Sequence, residues 1–265
     1  MKQKDHRSSA EDGRGRIRAG EWTGPTASLA PGFVQANLVV LPEKFAEDFH
    51  DFCRANPEAL PLLGVTEPGS PVPVKLAPSA DLRTDLPRYR LYRLGRLIEE
   101  PTDIVTLWHA DFVAFLIGCS FTFDSVLQQH GVPVRHLQRG GNVPMYITNR
   151  MMNPTGTFSG PLVVSMRPIR ETDISSVTDL TRRMPSAHGE PIQIGSHDQL
   201  GIDDLCRPDF GDPVTIQDGE IPVFWACGVS AQAVALHTEI PLMITHAPGH
   251  MFITDLRVDG TLPQG

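Results

Sequence analysis

The segment from Val223 to Asp255, VFWACGVSAQAVALHTEIPLMITHAPGHMFITD, constrains the fold more than any other stretch of this chain. It reads as an apolar strand ending in Cys227-Gly228, a helix opening at Ser230, and a second strand ending in Thr245-His246. Two strands joined through a helix are expected to run parallel in one sheet, with the crossover right-handed. Their C-terminal ends then share the edge where open α/β sheets bind ligands. On that expectation a thiol, a glycine turn and two histidines, His246 and His250, meet in one crevice.

The rest of the chain extends this pattern. NLVVL at Asn37–Leu41 reads as a buried strand, and the stripe of Phe45, Phe49, Phe52 and Cys53 as the helix that follows it. LPLLGV closes a second strand–helix–strand unit, and the proline-rich run from Thr66 to Pro78 is an extended loop. Arg88 to Ile98 reads as a half-exposed strand of alternating basic and apolar residues. The spacing of Ile104, Trp108, Phe112, Phe115 and Leu116 predicts a helix from Thr102 that stops at Gly118, and a further helix opens at Cys119-Ser120 and runs to Gln129. Val143–Thr148, Leu162–Arg167 and Pro191–Gly195 read as strands, and Asp173–Met184 as an amphipathic helix. Asp218-Gly219 signals a hairpin. No internal repeat is evident. The expected fold is therefore α/β, a mostly parallel-sheet three-layer core over residues 21–131 and 201–265. A smaller α+β subdomain is inserted at 132–200, and a flexible polar arm covers 1–20.

Composition narrows the function classes. The net charge of −8 argues against nucleic acid or an anionic membrane as partner, while a local basic pocket remains open to a small acid. No apolar run approaches the ~20 residues that span a bilayer, and the polar first stretch is no signal peptide. Cys53, Cys119, Cys206 and Cys227 include no CxxC pair, which fits reduced thiols in a cytoplasmic protein. The sequence leaves a homo-oligomer open.

Several residue groups carry potential chemistry. Cys119 and Ser120 sit at a helix start, where free N–H groups favour an anion and a lowered thiol pKa. Cys227 and Gly228 repeat that arrangement, with Gly228 open to close backbone approach; the alternative for both is plain core packing. His246 and His250 are four apart, but Pro248-Gly249 breaks a shared helical face, so they read as general acid or base and not as metal ligands. His188 is a third candidate. NVPMYITN and GPLVVSMRP supply Tyr146, Asn149, Ser165 and Arg167. Arg167 either pairs with a structural carboxylate or clamps a substrate carboxylate.

Taken together, TGPTASLAPGFVQANLVVLP, GCSFTFD, NVPMYITN, GPLVVSMRP, AHGEPIQIG, PDFGDPV, PVFWACGV and ITHAPGHMFITD closely resemble the "putative hydro-lyase" family. That family is related to the conserved domain of mitochondrial D-glutamate cyclase. The resemblance runs from about Trp22 to Asp255. It implies an α/β core with a second α+β subdomain and a water-eliminating lyase, with D-glutamate cyclising to 5-oxo-D-proline as the best reaction to test. No cofactor is expected. The chemistry of that step assigns His246 or His250 as acid/base and the Cys119-Ser120 or Cys227-Gly228 N–H groups as oxyanion site. Arg167, helped by Asn149, becomes the carboxylate anchor. A non-catalytic binding protein for a small carboxylate or amino acid is the competing expectation.

Overall fold

A computed structural model of the chain describes residues 6–258. Every strand pairing among the described residues is antiparallel, which overturns the expected mostly parallel three-layer core. The larger sheet has β1 (Phe33–Pro42) at its centre, with β5 (Phe112–Gly118) and β2 (Leu62–Val65) on one side. On the other side lie β10 (Met243–His246), β3 (Tyr89–Arg93) and β4 (Arg96–Glu99), and β11 (Phe252–Arg257) shares the β1 edge with β10. The smaller sheet runs β6 (Met145–Met151), β7 (Pro161–Arg170), β9 (Glu220–Ala226), β8 (Gln193–Ile194).

The physical reason for the correction lies in what a strand–helix–strand pattern leaves open. The helix α6 (Ser230–His237) joins β9 to β10, but β9 pairs with β7 and β8 while β10 pairs with β1 and β3. The connection crosses from one sheet to the other. Likewise β1 and β2 flank the helix α2 (Ala46–Ala55) and point the same way, yet β5 lies between them and is antiparallel to both. The helical spacing expected from Thr102 to Leu116 instead belongs mostly to β5. That strand is covered on both faces, so every position in FVAFLIG is buried and the alternation that marks a strand is missing. The expected single strand at Arg88–Ile98 is the β3–β4 hairpin, turning at Leu94 and Gly95 with positive φ at both. Within the stretch expected as a polar arm, His6–Arg18 forms a helix, α1, that buries Ala10, Arg14 and Ile17 against Leu29, Phe33 and Ile253.

The structure also reveals an internal repeat. In the larger sheet Ala36 pairs with Gly118 on one side and Phe252 on the other. In the smaller sheet Val164 pairs with Ala226 and Tyr146 in the same way. A short 3-10 turn and a helix follow each central strand: α2 after β1, and α5 (Ile174–Arg182) after β7. Cys119 and Cys227 follow the paired strands, and each opens a helix, α3 (Phe121–Gln129) or α6. Even single hydrogen bonds repeat: Thr148 Oγ1 donates to Leu162 O at 2.8 Å, and Thr254 Oγ1 donates to Val34 O at 2.8 Å. MYITN and MFITD are the matching strings in the sequence.

The halves are interlocked. β6 leaves the first half to pair with β7, and β11 leaves the second half to pair with β1. The larger sheet buries Leu38, Val40 and Ile244 under the loop bearing Leu76, Ala77 and Leu82. Its opposite face packs Val39 and Leu41 against Phe49 and Phe52 of α2 and Val234 of α6. A separate cluster joins Cys119, Phe121, Val163, Cys227, Val229 and Met251, where the two strand-to-helix turns meet. No helix among the described residues is long and apolar enough to cross a membrane.

Candidate functional site

The repeat is broken where β3 and β4 have no counterpart in the second half, and again where β10 has none in the first. Between α3 and β6 the first half has only the short helix α4 (Arg135–Gln138), whereas between α6 and β11 the second half has β10. β1 pairs with β10 at Val39 and Val40 and with β11 from Phe33 to Ala36, so Leu38 lies between the two ladders. The His246 ring fills that gap. Leu38 N–H donates to its Nδ1 at 3.2 Å, and Leu38 O lies 3.3 Å from the same nitrogen. His246 is fully buried and its Nε2 has no partner. Burial pushes its pKa down to about 3, against the pull of the Leu38 carbonyl, so the ring is neutral.

Cationic groups surround this break. Gln232 of α6 donates to His246 O at 2.8 Å, and Arg90 Nη1 donates to Gln232 Oε1 at 3.0 Å. Arg90 also reaches Glu100 through Nε at 2.6 Å. Arg88 accepts Ala247 N–H on its carbonyl at 2.9 Å, but its Nε is buried without a partner. His250 is partly buried, with Nδ1 3.0 Å from Pro248 O. Burial lowers its pKa and the Arg88 charge adds to that, while the Pro248 and Thr23 carbonyls oppose it. A cleft of ≈ 520 Å³ between Trp22, Thr23, Thr84, Pro87 and Thr102 adjoins the group through Thr23, which touches His250, and Pro87, which precedes Arg88.

The strand-to-helix turns hold a different arrangement. Phe121 N–H donates to Cys119 Sγ at 3.5 Å, and the Val229 backbone makes the equivalent bond to Cys227. Burial raises both thiols, Cys227 to about 11 and Cys119 further, which outweighs those bonds. Beside them Arg167 binds Asp124 at both carboxylate oxygens, 2.6 Å and 3.0 Å, and donates to Ser120 and Ser165 at 3.0 Å each. Its guanidinium also lies over the rings of Phe123 and Trp225. Burial alone would raise Asp124, but the Arg167 and His136 charges hold it down at about 2. Of the two roles the sequence left open for Arg167, this is the pairing with a structural carboxylate.

The remaining expected site residues scatter. Tyr146 is buried on the opposite face of the smaller sheet and donates to Leu205 O at 2.7 Å. Asn149 is exposed and packs on Gly201. His188 is buried in the left-handed conformation, its Nδ1 2.8 Å from Glu58 O, and burial lowers its pKa to about 4. Gly228 permits close approach, but of the Asn37 side chain: a Cβ there would lie 2.1 Å from Asn37 Nδ2. Sequence reasoning missed Arg88, Arg90 and Gln232. The basic alternation of RYRLYR was the available signal for the two arginines; α6 offered none for Gln232.

These features define a class: a duplicated, interlocked antiparallel α+β protein whose titratable and cationic side chains gather where the duplication breaks. The chain belongs to the D-glutamate cyclase family, which matches residues 113–255. It is 58% identical over 248 residues to a protein of Rubrobacter xylanophilus named "Putative hydro-lyase", covering 94% of this chain and 96% of that one. A Geobacillus kaustophilus protein of the same description is 57% identical over 94% of this chain and 95% of its own length. The solved structure of a nitrogen repressor-like protein from Methanococcus jannaschii covers 92% of this chain and 97% of its own at 11% identity, with a TM-score of 0.37. That overlap is too low to relate the folds.

Proposed function

We propose that the chain is a hydro-lyase acting on a small amino or hydroxy acid, with the cyclisation of D-glutamate to 5-oxo-D-proline as the reaction that fits best. The observation carrying this reading is Arg88, which has no carboxylate partner among the described residues, a buried unpaired Nε, and a charge that acts on His250, which in turn acts on His246. Family membership and the names of the relatives support it. Lactam formation needs an anchor for the spectator carboxylate, a base for the ammonium proton, and a donor for the oxyanion formed when the amine attacks the side-chain carboxyl carbon. The departing hydroxyl then takes a proton and leaves as water.

Arg88 supplies the anchor in place of Arg167, whose donors already serve Asp124, Ser120 and Ser165. His246 and His250 supply the donor and the proton carrier. A thioacyl route fits poorly, because both thiols near the helix starts are held protonated. The proposed reaction uses no cofactor, and its partner is a free small carboxylate in the cytoplasm.

The test is to incubate the purified protein separately with D-glutamate and with 5-oxo-D-proline and follow both by proton NMR. Interconversion is expected. Arg88→Met should raise KM roughly 10- to 100-fold, the effect of losing one charge-assisted hydrogen bond worth about 1.5–3 kcal/mol. Binding without interconversion would replace the lyase with a carboxylate-binding protein.

A further inference from the structure

We propose that α1 and the turn after it, residues 6–23, form a hinged strap that closes one side of the cleft, latches on Asp85 and opens as a unit. The proposal holds whatever reaction the protein catalyses. By itself α1 is a poor helix. Its 13 residues, HRSSAEDGRGRIR, include Gly13 and Gly15 and no acid in the first turn. A helix of that length and composition is marginal in water, so α1 owes its form to docking. Ala10, Gly13, Arg14 and Ile17 make the buried face at helical spacing. Among the described side chains, only Ala10 and Ile17 bring apolar groups from α1 to Leu29, Ala30, Phe33 and Ile253.

Two arginines complete the docking. Arg18 reaches both oxygens of the buried Asp85, at 2.8 Å and 2.7 Å. Arg14 lies 3.9 Å from Asp85 and 2.9 Å from Asp255, and donates to Ile253 O at 2.9 Å. Asp85 is also held from its own loop, by Asp81 N–H at 2.8 Å and the Thr84 hydroxyl at 3.1 Å, so it stays in place when the helix leaves. Arg18 is half-exposed, and water can take over its donors as the latch opens. The turn belongs to the helix: Glu21 and Trp22 N–H both donate to Arg16 O, at 2.9 Å and 3.3 Å, and the Arg16 guanidinium lies over the Trp22 ring. Thr26 belongs to the body of the protein. Its N–H donates to Gly249 O at 2.8 Å, its hydroxyl accepts Met251 N–H at 2.9 Å, and its carbonyl accepts Gln35 Nε2 at 2.9 Å. Gly24 and Pro25 separate the two sets and make the hinge. The Trp22 indole N–H reaches into that hinge, to Gly24 O at 3.0 Å and Pro25 O at 3.2 Å. The strap lines the cleft with Ile17, Arg18, Trp22 and Thr23, alongside Thr84 and Pro87 of the loop that carries Asp85. Thr23 also bonds His250 through its backbone, so opening uncovers that histidine together with the cleft.

Native-state hydrogen exchange on the full chain, read residue by residue, tests this. The amides of Ile17 and Arg18 are expected to exchange through an opening that leaves Thr26 protected, and with it Val39 and Val40, which are paired on both sides of β1. Gly15→Ala adds a methyl group that meets nothing within 4 Å. It should slow the α1 exchange roughly 5-fold, the advantage of alanine over glycine in a helix. Arg18→Gln removes the latch and should speed that exchange roughly 10-fold, with Val39 and Val40 unchanged. Exchange of Ile17 and Arg18 at the rate of Val39 and Val40 would make α1 part of the sheet's own cooperative unit and overturn the proposal. Loss of protection running on through Thr26 would overturn the hinge, and an unchanged α1 rate in either variant would overturn the latch. The parent and Gly15→Ala decide the matter even where Arg18→Gln fails to fold.

Discussion

At the scale of single residues, burial sets the charge state of two groups, and a buried ion pair overrides it at a third. His246 and His188 stay neutral, with pKa values pushed from 6.5 to about 3 and about 4. Asp124 stays ionised because Arg167 and His136 flank it. The sign of the linkage is definite. Between pH 6.5 and about 4 the unfolded chain protonates these histidines and the folded chain does not, so stability present above pH 6.5 falls as the pH falls. Urea midpoints measured at pH 7.5 and 5.0 should show that loss, and His188→Gln and His246→Gln should each flatten the slope; an unchanged slope in both would contradict the burial described. The two histidines of THAPGH were legible as chemistry because few residues titrate near neutrality. Arg88 was not, because an arginine in a basic strand looks the same whether or not a carboxylate waits for it in space.

At the scale of elements, most strands and helices were legible and most pairings were not. Buried stripes such as Phe49, Phe52 and Cys53 mark α2 in any topology, but nothing in β1 or β2 announces that β5 will slip between them. The repeated MYITN and MFITD strings held the missing information. Their identical Met, Ile and Thr place two strands in one environment, and the rest of each half has diverged too far to show it. The paired turns also differ in what their glycines tolerate. A Cβ on Gly118 would lie 1.7 Å from the Ser186 carbonyl oxygen, which is backbone, whereas one on Gly228 would meet the Asn37 amide at 2.1 Å. Gly118→Ala should therefore sit at or above the top of the ~1–3 kcal/mol range for overpacking. Gly228→Ala should cost less, and Asn37→Ala should relieve part of that cost in the double variant. Thermal melts of the variants and the double-mutant cycle measure both effects; equal losses at the two glycines would show that neither neighbour is fixed.

At the scale of the whole molecule, each half is finished by a strand from the other. A chain cut in the exposed turn at Gly156, between β6 and β7, should yield fragments that fail to fold when expressed apart and recover a native circular dichroism spectrum when expressed together. A fragment that folded alone would show that the exchanged strand is dispensable. The interlock also sets a timetable for synthesis. β1 ends at Pro42, but the strands that cover one of its edges, β10 and β11, begin only at Met243 and Phe252. Until the ribosome has released Arg257, Leu38 and its neighbours present an apolar strand with open hydrogen-bonding groups to solvent. Such an edge invites pairing with other nascent chains. The duplication that interlocks the two halves thus leaves an unfinished sheet to be shielded from the making of Pro42 to that of Met243.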